Sequence, residues 1–120
     1  MINCYEEPEM MKVVLDKCTD FIIEYIKEFK KAGANGVIIA EPLTGLLSLS
    51  LAEEFSEPYI KRIVDSVQDE NFIVVYHNCG NSTINIIESI LRTGSAAYHF
   101  GNSIDMEKML EHIPPETVVF

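Results

Sequence analysis

Between Glu9 and Lys31 the apolar residues Met11, Val14, Leu15, Cys18, Phe21, Ile22, Tyr25, Ile26 and Phe29 recur at helical spacing. Steps of three and four residues gather such side chains on one side of an α-helix. Ala32-Gly33 ends the pattern, since glycine takes the left-handed conformation that closes a helix. Gly36 to Ala40 is then apolar without alternation, which predicts a strand buried on both faces. Glu41 to Gly45 reads as a loop. Ser48 or Ser50 can cap a short helix to about Phe55, and Pro58 suits the first turn of a longer helix to about Gln68.

The cycle then repeats. Phe72 to Tyr76 reads as a second buried strand, His77 to Ser82 as a loop, and Thr83 to Arg92 as a helix closed by Gly94. A brief strand follows at Ala96 to Tyr98, then a loop at His99 to Ser103 and a helix at Asp105 to His112. Pro114-Pro115 stops that helix, and Thr117 to Val119 reads as a fourth strand. Strands alternating with helices pair in parallel through right-handed crossovers. The fold class is α/β, with four parallel strands expected side by side in chain order.

Composition narrows the options. At 120 residues the chain has room for a single segment, 1–120, and its 48% apolar share argues against disorder. No apolar run approaches the ~18 residues of a membrane span, and MINCYEEPEM is not a secretory signal. No membrane partner and a cytoplasmic location are therefore expected. Nine basic against nineteen acidic residues give a formal charge of -10, which repels nucleic-acid phosphates. Cys4, Cys18 and Cys79 are odd in number and widely spaced, unlike a disulfide framework.

In parallel α/β folds functional groups gather at the carboxyl ends of strands. Here those ends carry Glu41, then His77 and Cys79, then His99 and Asn102. A His-x-Cys pair offers one imidazole nitrogen and one thiolate, a donor set that suits zinc. On an extended chain residues two apart point to the same side, so His77 and Cys79 can both face one ion. Two donors are fewer than the three of a usual catalytic zinc site. A buried thiol beside a loop histidine is the competing reading. Glu41 could be a ligand, a general base or a solvated loop acid. His99 could face the same mouth or simply bond a loop carbonyl. Asn102 stands at the same edge. Cys18, on the apolar stripe of the first helix, is expected in the core as a small hydrophobe, as are Met106, Met109 and Leu110.

Ala32 to Pro42, Ser56 to Ile63 and, most specifically, Val74 to Ser82 (VVYHNCGNS) resemble the uroporphyrinogen decarboxylase superfamily in its cobamide:thiol methyltransferase branch. The resemblance covers nearly the whole chain and implies the C-terminal half of a (β/α)8 barrel. It implies His77 and Cys79 as zinc ligands, with a third, later cysteine that has no counterpart before Phe120. A carboxylate found after the third strand in some members is absent here, and His99 is the candidate to replace it. From their places at the strand ends Glu41 and His99 are the candidate catalytic residues and Asn102 a candidate cofactor contact, and the resemblance implies a methylated corrinoid as the methyl donor. The expected partners are a corrinoid or corrinoid protein, a small thiol acceptor, and either further copies of the chain or the remainder of the barrel. True decarboxylases of the superfamily rely on N-terminal Arg and Asp residues not found here and lack the His-x-Cys pair. The rival reading is a fragment without activity of its own, a small α/β binding module.

Overall fold

The computed structural model describes residues 2–120. A short helix α1 (Ile2–Glu6) leads into the long α2 (Pro8–Lys31), followed by β1 (Gly36–Ala40), α3 (Leu49–Phe55), α4 (Glu57–Val67) and β2 (Ile73–Asn78). The rest of the chain forms α5 (Ile87–Arg92), β3 (Ala97–Phe100), α6 (Met106–Leu110) and β4 (Val118–Val119). The four strands lie in the order β1-β2-β3-β4, every neighbour parallel, as the alternation predicts. Gly33 and Gly94 close α2 and α5 at φ +93° and +75°. Ser48 accepts from the Leu51 amide as the cap of α3, and Pro58 lies in the first turn of α4.

The helices pack on one side of the sheet. Ile23 and Ile26 of α2, Ile60, Ile63, Val64 and Val67 of α4, and Ile87 and Ile90 of α5 bury the strand residues Val74, Tyr76, Tyr98 and Phe100. Each such side chain contributes on the order of 1.5–3 kcal/mol by leaving water. The other face carries Ile38, Ile73, Val118 and Phe120, which stay open; Ile38 is 65% exposed and Phe120 57%. Helices outside and a bare inner sheet face are the arrangement of a segment of a (β/α)8 barrel.

Polar ties hold the two ends of the sheet. At the amino ends Gln68 accepts from the Val74 and Ala96 amides and donates to the Gly94 carbonyl, joining β2 to β3. On the outer surface Arg92 bonds Glu53 and Glu57, and Ser89 donates to Glu57, so α3, α4 and α5 share one ionic cluster.

Several sequence expectations need correction. β1 is covered on one face only, because its apolar run includes the open inner face. Phe72 is buried but precedes β2. Thr83 to Arg92 divides into a 3-10 turn (Thr83–Ile86) and α5. Cys18 is exposed, not core. The buried line of α2 runs through Thr19, Ile23 and Ile26, and Cys18 lies a step round the helix from it. Phe21, 70% exposed, stands in the open with Tyr25 and Phe29. Met109 is fully buried, whereas Leu110 is exposed. Cys4 sits half-buried in α1.

Candidate functional site

The strand ends differ from their expected places in a way that matters for chemistry. β2 continues through Asn78 and β3 through Phe100, so His77 and His99 are strand residues rather than loop residues. They are direct partners in the β2–β3 register. Side chains alternate across a sheet. Tyr76 and Asn78 are buried on the helix side, leaving His77 and His99 on the open inner face. The two imidazoles stack with centroids 4.7 Å apart, and Phe120 stacks on His99 at 5.0 Å.

His77 Nδ1 lies 3.1 Å from the backbone carbonyl oxygen of His99. A carbonyl only accepts, so Nδ1 carries a proton, and in the neutral ring Nε2 keeps its lone pair. Metal-binding histidines are commonly oriented in this way, by donating from the nitrogen that does not bind. Cys79 follows the strand directly, exposed, two residues after His77. A Cβ at Gly101 would come within 2.7 Å of Cys79 Cβ, so the chain after β3 passes against the cysteine only because residue 101 is glycine.

Glu41 is directed elsewhere. Its Oε2 accepts from Ser56 Oγ at 2.6 Å and from Tyr76 Oη at 2.9 Å, both on the helix side. Burial raises the Tyr76 hydroxyl pKa far above its ordinary value, and the nearby Glu41 charge adds to the rise, so the phenol stays protonated as a donor. The Glu41 carboxylate is thus separated by the sheet from His77 and Cys79. Asn102 is exposed in the turn after β3, at the same edge as Cys79.

The residues that reasoning from sequence passed over are Asn78, Tyr76, Thr83 and Gly101. Asn78 left a readable signal, an Asn two residues before Gly80, which is an Asx-turn pattern. Its Oδ1 does accept from the Gly80 amide at 2.8 Å. A Cβ on Gly45 would approach Gly80 Cα to 2.8 Å, so the loops after β1 and β2 touch through two glycines.

His77 on the open face and Cys79 just beyond the strand therefore present one imidazole nitrogen without a partner and one exposed thiol. In kind this donor set fits zinc; in number it is a partial set. Among the described residues no three His, Cys, Asp or Glu side chains form a ligand cluster. No helix among them is long and apolar enough to cross a membrane.

The uroporphyrinogen decarboxylase (URO-D) family model matches residues 1–120. The methylcobamide:CoM methyltransferase MtbA of Methanosarcina mazei is 29% identical over 119 residues, which is 98% of this chain and 35% of that protein. A uroporphyrinogen decarboxylase of Prochlorococcus marinus is 31% identical over 114 residues, 93% of this chain and 32% of that protein. Another, from Campylobacter concisus, is 44% identical over 66 residues, 55% of this chain and 19% of that protein. The chain spans about a third of the length of the first two of these relatives.

Proposed function

This chain belongs to the uroporphyrinogen decarboxylase family, and we propose that it is the zinc-bearing portion of a methyltransferase moving a methyl group from a methylated cobamide to a thiol. The observation that carries this reading is His77: its Nδ1 is spent on the His99 carbonyl and its Nε2 is free, with the Cys79 thiol two residues on. Similarity to a methylcobamide:CoM methyltransferase over 98% of the chain supports the choice of branch.

When bound, zinc would hold the acceptor thiol as a thiolate at neutral pH. The chain's own residues supply position. His77 would offer Nε2 in a fixed direction, and Cys79 would offer its sulfur beside it. His99 and Phe120 extend a flat stacked wall along the same inner face, and Asn102 would touch the corrinoid at the rim. Attack on a methyl group requires in-line approach, and orientation supplies much of the rate in such transfers. Glu41 would serve by fixing the frame through Tyr76 and Ser56, not as a base. The remaining walls and the third ligand would come from the rest of a barrel, so the 120-residue chain alone is expected to transfer methyl groups negligibly.

Zinc titration against a chromophoric chelator tests the site. The expected result is one weak site per chain, with affinity well below that of a closed structural site, abolished in Cys79→Ser. Equal zinc affinity in wild type and Cys79→Ser would overturn the assignment. Robust thiol methylation by the 120-residue chain alone would overturn the claim that it is only a portion of the enzyme.

A further inference from the structure

Asn78 lies between the two proposed ligands, yet its side chain is on the other side of the sheet and fully buried. It ties three segments together. Nδ2 donates to the Glu41 carbonyl at the end of β1 at 2.8 Å. Oδ1 accepts from the Gly80 amide at 2.8 Å and from Thr83 Oγ1 at 2.6 Å. Both lone pairs of the amide oxygen are thereby used. Thr83, also buried, has a single hydroxyl proton, which Asn78 Oδ1 shares with the Gly80 carbonyl, each 2.6 Å away. The main chain adds two more ties, Glu41 N–H to the His77 carbonyl at 3.0 Å and Gly101 N–H to the Asn78 carbonyl at 3.1 Å.

We propose that Asn78 is a positioning residue for the proposed metal ligands, acting from the opposite face of the sheet. By fixing the chain at residues 78 and 80 it brackets Cys79 and sets the direction of its thiol. By its bond to the Glu41 carbonyl it also holds the end of β2 against β1, and so steadies His77, one residue before it, where Nδ1 meets the His99 carbonyl. This inference rests on reading His77 and Cys79 as metal ligands. It goes beyond that reading by assigning the orientation of both to one buried amide. A buried amide bonded at once to the end of β1 and to the loop after β2 has few substitutes. Alanine would strip partners from a backbone carbonyl, a backbone amide and a hydroxyl at once.

The test uses the 120-residue chain with Cys4→Ser and Cys18→Ser, so that Cys79 is the only thiol. Asn78→Ala, Thr83→Val, Thr83→Ser and the core control Ile63→Val are made in this background. Two signals are read besides thermal midpoint: the ring-nitrogen NMR shifts of His77 without metal, and the thiolate-to-cobalt absorption on Co2+ titration. The background chain should show the Nδ1-protonated tautomer. Asn78→Ala should mix the tautomers and weaken Co2+ about ten- to hundred-fold, the usual scale for outer-shell partners. Thr83→Val should lie between, Thr83→Ser should restore both signals, and Ile63→Val should lower the midpoint alone. Unchanged tautomer and Co2+ affinity in Asn78→Ala would overturn the proposal. If that variant does not fold, unchanged signals in Thr83→Val would do so. A background chain that binds no Co2+ would sink the metal reading, and the tautomer comparison would still decide the role of Asn78.

Discussion

His77 donates from Nδ1 to the backbone carbonyl of His99, 3.1 Å across the β2–β3 ladder. His99 therefore orients its neighbour through the main chain, while its ring stacks on the same neighbour at 4.7 Å. Replacing the ring leaves the carbonyl in place. His77→Ala should abolish metal binding, whereas His99→Ala should weaken it only several-fold. Isothermal titration with zinc separates the two. Losses of equal size would mean that His99 is a ligand of the same rank as His77.

Gly101 packs against Cys79 where a Cβ would lie 2.7 Å from Cys79 Cβ and 2.8 Å from its Cα. Gly101→Ala should force the two loops apart, costing about 1–3 kcal/mol as overpacking does. Urea denaturation measures the cost, and zinc affinity should fall with it. Full stability in the alanine variant would show that the loops yield freely.

Cys18 is exposed on α2. Cys18→Ser should thus change stability by less than about 0.5 kcal/mol, as surface substitutions do. Thiol counting with a small alkylating reagent should find Cys18 reactive in the native state. A protected thiol, or a Cys18→Ser cost of about 2 kcal/mol, would return this residue to the core.

Glu57 receives two hydrogen bonds from Arg92 through Oε2 and Oε1, at 2.8 and 3.0 Å, and one from Ser89 at 2.8 Å. The Arg92 guanidinium above all, helped by Ser89, holds its carboxyl below the ordinary value of 4.5 against the opposing effect of burial. A depressed carboxyl contributes stability that is complete above its unfolded value and is lost as pH falls through the folded one. Glu57→Gln should cost about 1 kcal/mol at neutral pH, since the charge-assisted bonds are partly open to solvent. It should also flatten the acid limb of the stability profile as pH falls below the ordinary carboxylate value of 4.5. Denaturant midpoints across that range decide the matter; parallel profiles for both proteins would refute it.

The inner sheet face with Ile38, Ile73, Val118 and Phe120, and the outer stripe of α2 with Phe21, Tyr25 and Phe29, leave large apolar side chains in water. Extended patches of this kind are uncommon on monomers, and both outer strands have free edges. The 120-residue chain should self-associate at micromolar concentration in sedimentation velocity, and Phe21→Ser with Tyr25→Ser should reduce it. A clean monomer across moderate salt would contradict this.

The order of elements was legible because its signals are local. Helical spacing ended by Gly33, apolar runs at Val37 and Val74, and the stop at Pro114-Pro115 each act over a few residues. Their alternation then implies parallel pairing by chirality alone. The family motif from Val74 to Ser82 was equally a matter of adjacent residues, and it marked His77 and Cys79 without any knowledge of the fold.

What an apolar pattern cannot state is which of its sides another part of the chain will cover. Cys18 and Thr19 are neighbours on one helix, and only the way α2 packs on the rest of the chain buries the threonine and leaves the cysteine in water. Glu41 and His77 likewise stand at adjacent strand ends. A half-turn of the pleat sends the carboxylate to Tyr76 and Ser56 and the imidazole to the open face. The Asn78 amide reaches back to residue 41, and the bond from His77 Nδ1 reaches across to residue 99. Residue identities set what chemistry is available. Contacts between segments distant in sequence decide which groups meet, because hydrogen bonds and burial depend on proximity in space rather than along the chain.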